Sequence, residues 1–393
     1  MENSIHHSQT IYNCLRQIGI CKFFTHTVIQ HILAVLISVF VTGYRGKTVD
    51  FSKNSPCHRT TVAHFFNHGK WDHKKLEDIL KAAVINAVYE RARSTGKPVF
   101  CIVDDTIASK TAPSLQARHP IDDAYFHYSH LKRSQDYGHQ AVSVMLSCDG
   151  LVLNYTLVLY DKSRTKTGIV RDIIDELPVP PVVSYFLCDC WYTSKELVNS
   201  FLIKGFYTVA AVKTNRIIYP RGIRQKTNEF ALLMEAGDKD VHIVTVGGRK
   251  YHVYRYEGPL NGIGDAVVLI CYPVGAFHVA KALRAFLCTE ISLSTQEILD
   301  TYLCRWPVEV FFRQAKDKLA FSQCQMRSAL GIKRYWLLMS LAHYLCCTGT
   351  GRYCSFEEGY AYFQKAVLQE RISYIYQCGK NNVPLEKVLA CAA

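Results

Sequence analysis

His139 to Tyr160 reads HQAVSVMLSCDGLVLNYTLVLY. Two runs rich in Val, Leu and Tyr flank Asp149-Gly150, a dipeptide suited to the positive φ of a two-residue hairpin turn. The stretch predicts two antiparallel strands, His139 to Ser147 and Leu151 to Tyr160. Upstream, Pro98 to Val103 (PVFCIV) is a short apolar run of the kind a buried strand needs, ending in Asp104 and Asp105. Downstream, a helix around Gly168 to Glu176, a strand from Val182 to Cys188 ending at Asp189, a helix from Ser194 to Lys204 and a strand from Phe206 to Val212 alternate. Three antiparallel strands followed by alternating helices and strands predict a mixed α/β sheet covered by helices. Between Lys213 and about Glu290 the pattern turns strand-rich (Val241 to Val246, Lys250 to Tyr256, Ala266 to Tyr272), with Gly247-Gly248 as a turn, and reads as a β insertion at 213–290.

The flanks are helical. Residues 1–97 hold an apolar segment from Thr27 to Thr42, a basic loop through Lys47, Lys53 and Arg59, and helical stretches at Thr60 to Trp71 and Leu76 to Arg93. They form either a DNA-reading unit around a basic turn or a bundle packed on the next domain. Residues 98–349 form the sheet domain, and 350–393 a helical, polar-aromatic tail. Within the sheet domain, Ser294 to Phe321 is predicted helical from a capping box, Ser294-x-x-Glu297, and a further helix spans about Ile332 to Cys347.

The chain has 393 residues, 49% of them apolar, enough for a substantial core. Its formal charge of +13 favours a polyanionic partner. The longest apolar stretch, His31 to Thr42, is shorter than the roughly 20 residues a spanning helix needs and is expected to be a buried helix. The opening residues do not read as a secretory leader. Sixteen cysteines raise the question of zinc or disulfides. Their spacing supplies no C-x-x-C pair, and Cys101, Cys188, Cys271 and Cys304 lie in apolar runs, so free thiols and a reducing cytosol are expected.

Asp104-Asp105 and Asp189 share one pattern: a buried strand delivers an acid near its carboxyl end, the edge where ligands collect in α/β sheets. Singly, such an acid is more often a turn former or cap. The helical stretch Tyr302 to Lys316 (YLCRWPVEVFFRQAK) adds Tyr302, Arg305, Glu309 and Lys316 at offsets of three, seven and fourteen. At about 100° per residue these fall within roughly one-sixth of a helix circumference. Glu309 is placed to ligate a metal with the aspartates, the other three to grip phosphate oxygens. Pro307 interrupts the run and predicts a kink, and a plain amphipathic helix with an Arg305–Glu309 pair would need the same residues.

Tyr302-x-x-Arg305-x-x-x-Glu309-x-x-x-x-x-x-Lys316 resembles, at every spacing, the YREK signature of bacterial insertion-sequence transposases of the DDE type, the insertion sequence four type and its relatives. Asp105-Thr106 is similar to that family's first aspartate block, and Asp189 in LCDCWY to its second. The resemblance covers roughly Pro98 to Gly349. It implies a ribonuclease-H-like core, two Mg²⁺ ions with Mn²⁺ as a substitute, cleavage at element ends, and attack of the freed 3′-hydroxyl on target DNA. It further implies that Asp105, Asp189 and Glu309 bind the metals, with Asp104 as the alternative to Asp105, and that Tyr302, Arg305 and Lys316 contact DNA. The implied partners are double-stranded DNA (terminal inverted repeats and target) and a second copy when two ends are paired. The implied setting is the bacterial cytoplasm, on the nucleoid when bound to DNA. Some relatives hold a flipped base on a tryptophan of the β insertion, and no tryptophan lies between Trp191 and Trp306 here.

Lys213 to Lys226 (KTNRIIYPRGIRQK) gathers Lys213, Arg216, Arg221, Arg224 and Lys226 around Tyr219, a tract expected to contact DNA phosphates. Lys162, Arg164 and Lys166 form a weaker candidate. His127 and His130, at i and i+3, lack a supporting third ligand, and they and His139 are expected at the surface or on phosphate. No G-x-x-x-x-G-K-[ST] loop or G-x-S-x-G elbow is present, so neither a nucleotide triphosphate nor a serine nucleophile is expected. Two rivals remain: a DNA-binding protein that has lost its chemistry, and a metal-dependent nuclease without strand transfer.

Overall fold

The computed structural model describes residues 6–114, 116, 120–129, 132–260 and 262–392, with side chains through 389. His130 lies outside them. The N-terminal helices are α1 (Gln9–Gln17), α2 (His26–Val39), α3 (Thr48–Ser52), α4 (Arg59–Asn67) and α5 (His73–Thr95). Strands β1 (Val99–Ser109), β2 (Tyr125–Ser129), β3 (Ser134–Cys148) and β4 (Leu151–Tyr160) follow. Next come α6 (Lys166–Glu176), β5 (Ser184–Cys188), α7 (Lys195–Ile203) and β6 (Phe206–Val212). The insertion contains β7 (Ile217–Ile218), β8 (Gln225–Lys226), α8 (Thr227–Ala231), β9 (Val241–Val246), β10 (Arg249–Leu260), β11 (Gly264–Pro273) and β12 (Arg284–Cys288). The chain closes with α9 (Thr295–Leu303), α10 (Pro307–Asp317), α11 (Ala329–Thr348), α12 (Phe356–Lys380) and α13 (Leu385–Ala392).

Ten strands form one sheet in the order β2-β3-β1-β5-β6-β12-β11-β10-β9, with β4 also on β3. β1, β5 and β6 run parallel, and β3 and β12 run antiparallel to their neighbours on either side. This is the mixed sheet flanked by helices that the strand pattern predicts, consistent with the ribonuclease-H-like core that the resemblance implies. The insertion is no separate module of strands: β12 pairs with β6, so the insertion's strands extend the same sheet. Two strands of this sheet, β2 and β12, go beyond the sequence reading, as does the small β7–β8 pair. β1 is also longer than its apolar run. It passes through both aspartates to Ser109 because residues 104–109 keep pairing with β3. Gly138 ends that ladder opposite Ser109, where a Cβ would collide with the Ala108 carbonyl.

Helix starts follow the capping chemistry in the sequence. Ser8, Thr25, Asp72, Thr165, Ser194, Ser328 and Ser355 each accept a backbone N–H from the first turn of their helix. Ser294 does the same within the predicted capping box with Glu297. α10 instead begins at Pro307, whose missing N–H is tolerated in a first turn, and this separates it from α9. The apolar segment of α2 is buried as expected. Among the described residues no helix is long and apolar enough to cross a membrane, and the described cysteines are free thiols.

α11 is the central prop, touching β4, α2, α4, α5 and α12. Its buried Arg334 donates to the carbonyls of Phe65 (2.9 Å), Phe66 (3.0 Å), Gly69 (2.7 Å) and Trp71 (3.2 Å), tying the α4–α5 connection to the sheet domain. The last long helix returns to the first two. Tyr360 donates to the Val39 carbonyl (2.9 Å), Phe363 stacks on Phe40 (5.0 Å), and Glu370 accepts from the Thr10 hydroxyl (2.7 Å). Gly359 sits so close to α11 that a Cβ would strike the Cys346 carbonyl.

His343 of α11 packs edge-on against Phe311 of α10 (4.9 Å) and stacks on Phe356 of α12 (5.3 Å). Burial pulls its pKa down to about 4 from 6.5. The unfolded imidazole therefore takes up a proton at a higher pH than the folded one, and stability falls as pH drops from 6.5 towards 4. The loss should reach about 3 kcal/mol, read from urea unfolding at pH 7.5 and 4.5. His343→Phe keeps the aromatic packing and should lose correspondingly less stability in acid. Identical pH dependence in the two proteins would refute the assignment.

Candidate active site

Successive side chains of a strand point to opposite faces, and β1 uses both. Asp104, Thr106 and Lys110 share the face on which α10 lies. Asp104 Oδ2 accepts from Arg305 (2.8 Å), and the Lys316 ammonium donates to Thr106 Oγ1 (2.9 Å). The Lys110 ammonium donates to the carbonyls of Ser322 (3.0 Å) and Cys324, just past the end of α10. Asp105 takes the other parity. Its Oδ2 accepts from Lys166 at the start of α6 (2.7 Å) and from the Tyr192 hydroxyl (2.8 Å). Its Oδ1 accepts from Gln140 of β3 (2.9 Å).

Asp189 follows the last residue of β5, next to β1. Its Oδ1 accepts from the backbone N–H of Trp191 (2.9 Å) in a tight turn, so the loop itself orients the carboxylate. Burial raises its pKa, and the Asp105 carboxylate adds to the rise while the Trp191 N–H opposes it. Asp104 is pushed up to about 7, first by burial and then by the Asp189 and Glu309 carboxylates, against the pull of Arg305. These shifts record several carboxylates crowded into a poorly solvated space.

The break before Pro307 does not scatter the four residues of the α9–α10 run. Arg305, in the turn between the helices, spans Asp104 and Glu309, whose Oε1 it reaches at 3.2 Å. The Tyr302 ring lies 5.9 Å from the same guanidinium and packs on Phe286 of β12 (4.7 Å). Val308, Phe311, Phe312 and Ala315 bury the opposite side of α10. The structure thus brings Asp104, Asp189, Arg305 and Glu309 together, with Lys316 one strand residue pair further along β1. Asp105 faces the α6 side, away from α10. Among the described residues no three His, Cys, Asp or Glu side chains are gathered in a metal-holding arrangement. Arg305 and Lys166 sit on the carboxylates instead.

The basic tract divides. Lys213, Arg221 and Arg224 are exposed. Arg216 is half-buried and donates to the Thr193 carbonyl (2.7 Å), bracing the loop that follows Asp189. Lys226 pairs with Glu229 (2.8 Å). In the weaker tract, Arg164 pairs with Asp172 (2.5 Å) and the Lys162 ammonium covers the Tyr125 ring (4.3 Å). The histidines are not at the surface: His139 is buried and bonded to the Asp122 carbonyl (2.9 Å), and His127 is buried on β2, a strand the sequence reading lacked. Sequence reasoning also passed over Gln140, Tyr192 and Lys110. Tyr192 and Trp191 were visible as part of LCDCWY, but nothing in that string tells which is buried. Tyr192 is enclosed, whereas Trp191 is 64% exposed, with the Lys213 ammonium 5.2 Å and the Lys166 ammonium 6.0 Å from its ring.

A family model described as Transposase DDE domain matches residues 95–345. No curated protein matches the chain. The geometry separates two groups in the basic tract. Arg221→Ala with Arg224→Ala should weaken DNA binding and flatten its salt dependence by about one to two in log–log slope. Arg216→Ala should leave that slope unchanged, because its guanidinium is committed to Thr193. Equal flattening by both variants, measured by titration over a salt series, would contradict the division.

Proposed function

The chain belongs to the family defined by the transposase DDE domain, and from that premise we propose that it cuts DNA at the ends of a mobile element and joins the freed 3′-hydroxyl ends to target DNA. The observation that carries this reading is that one guanidinium, Arg305, bonds both Asp104 of β1 and Glu309 of α10, with Asp189, just past β5, near enough for its charge to push the Asp104 pKa up. Asp104, rather than Asp105, is the first acid of the triad in this reading. It shares its strand face with Thr106 and α10, whereas Asp105 already accepts from three donors on the other side.

The donor set is made of carboxylate oxygens, which suits a hard divalent ion such as Mg²⁺, with Mn²⁺ able to substitute. Crowded carboxylates with raised pKa values also favour a cation among them. Asp104, Asp189 and Glu309 would hold it. When bound, such ions supply Lewis-acid stabilisation of the phosphate and a more acidic attacking water or hydroxyl. The chain's own groups do the rest. Glu309 and Asp104 keep the Arg305 guanidinium at the centre, where its remaining N–H groups donate to phosphate oxygens. Lys316, on the same face, and Tyr302 hold the strand on either side, so that the phosphate is fixed before it reacts. Lys213, Arg221 and Arg224 bind the flanking duplex without reading its sequence. Terminal inverted repeats, target DNA and a second copy on paired ends complete the proposed assembly, acting in the cytoplasm.

The test is cleavage of the element's terminal-repeat DNA with Mg²⁺ by wild type and Glu309→Gln. Cleavage should drop about a thousandfold while DNA affinity changes less than about twofold. Product joined to target through a 3′-end separates transposition from plain nuclease action. Binding without cleavage by wild type would favour a DNA-binding protein that has lost its chemistry.

A further inference from the structure

We propose that Asp105 is a positioning residue: with Tyr192 and Lys166 it forms a latch that sets the Asp189 loop against β1. The proposal rests on the functional reading of Asp104, Asp189 and Glu309 as the reacting centre. Asp105 accepts donors from three separate elements: Gln140 from β3 on one oxygen, Lys166 from α6 and Tyr192 from the loop on the other. An ionised carboxylate only accepts, and three close donors, one of them charged, leave it little capacity for another ligand. Tyr192 is 1% exposed, so its hydroxyl must be paired, and Asp105 is its acceptor.

Tyr192 is three residues beyond Asp189, and its N–H donates to the Asp189 carbonyl (3.3 Å). The next residue, Thr193, is held through its carbonyl by Arg216. The loop after Asp189 is therefore pinned at two consecutive residues, once to β1 and once to the insertion. Asp189 reaches the reacting centre from a loop, and a loop transmits position only as well as it is tethered. The adjacent acids of β1 thus divide the work: Asp104 faces α10, and Asp105 fixes the neighbour that delivers the second carboxylate.

The experiment compares wild type, Asp104→Asn, Asp105→Asn, Tyr192→Phe and the Asp105→Asn/Tyr192→Phe double variant as full-length protein. Mn²⁺ binding without DNA is measured by calorimetry, and cleavage kinetics and urea midpoints are measured alongside. The expected result is that Asp105→Asn and Tyr192→Phe each lower kcat roughly tenfold, with KM for DNA unchanged. The double variant should fall no further than the worse single, since both act through one contact. All three keep the wild-type Mn²⁺ stoichiometry, and Asp104→Asn loses it. Loss of Mn²⁺ by Asp105→Asn makes Asp105 a ligand and overturns the latch, as does a multiplicative double loss. A drop that tracks the urea midpoints overturns it too, by reducing the contact to one of general stability. Wild type that neither binds Mn²⁺ nor cuts DNA overturns the functional reading and the latch with it, a result recognisable because it appears before any substitution.

Discussion

A carboxylate withdrawn from water needs a cation, and Asp104 has Arg305. The ion pair spans 2.8 Å with only 15% and 16% of the two side chains exposed, and the same guanidinium reaches Glu309. Removing one partner from a pair this enclosed leaves the other charge stranded, at a cost of about 3–5 kcal/mol in comparable cases. Much of the architecture near the site answers to this constraint. The α9–α10 segment crosses β1 at the level of Asp104, and the chain breaks there with Arg305 in the turn. Pro307 supplies the break by opening a new first turn. Lys316 on Thr106 and Lys110 on the turn after α10 extend the attachment along the same strand face. α10 and the turns on either side of it are thereby fastened to one strand face at three levels, each by a cation.

The adjacent acids show how a strand can serve two purposes within one dipeptide. Asp104 and Asp105 differ by a single step of chain, but the pleat sends them to opposite faces. One meets the helix that carries Glu309, the other the loop that carries Asp189. The two halves of the centre are built around one backbone, which lies between β3 and β5 and is paired to both. Little play is left for either acid, since shifting β1 by one residue would exchange their roles.

Much of this could be read from the residues. The hairpin at Asp149-Gly150, the strand–helix–strand alternation of β5, α7 and β6, the capping box at Ser294 and the spacing of Tyr302, Arg305, Glu309 and Lys316 all rest on local rules, and all have counterparts in the structure. What escaped was set by parity and by distant pairing. The apolar run suggested that β1 stops at Val103, because polar residues follow. Pairing to β3 carries it on, and only then does the alternation that separates Asp104 from Asp105 take effect. Arg216 looked like its basic neighbours, and its carbonyl partner lies 23 positions earlier in the chain, beyond any local pattern. β2 and β12 are short strands recruited by long ladders already in place, and five residues carry too little periodicity to declare themselves.

The contacts of α12 with α1 and α2 bear on how the chain is made. Tyr360 and Val39, which share a hydrogen bond, are 321 positions apart, and Glu370 reaches back to Thr10. Contacts of such separation are the slowest to form, because the intervening chain must first be ordered. A ribosome releases α1 and α2 long before α12, which covers them, emerges. The faces that α12 covers therefore wait, exposed, through the synthesis of everything between. Native packing of α1 and α2 is completed only when α12 arrives, and a message truncated before α12 leaves those two helices unfinished as well.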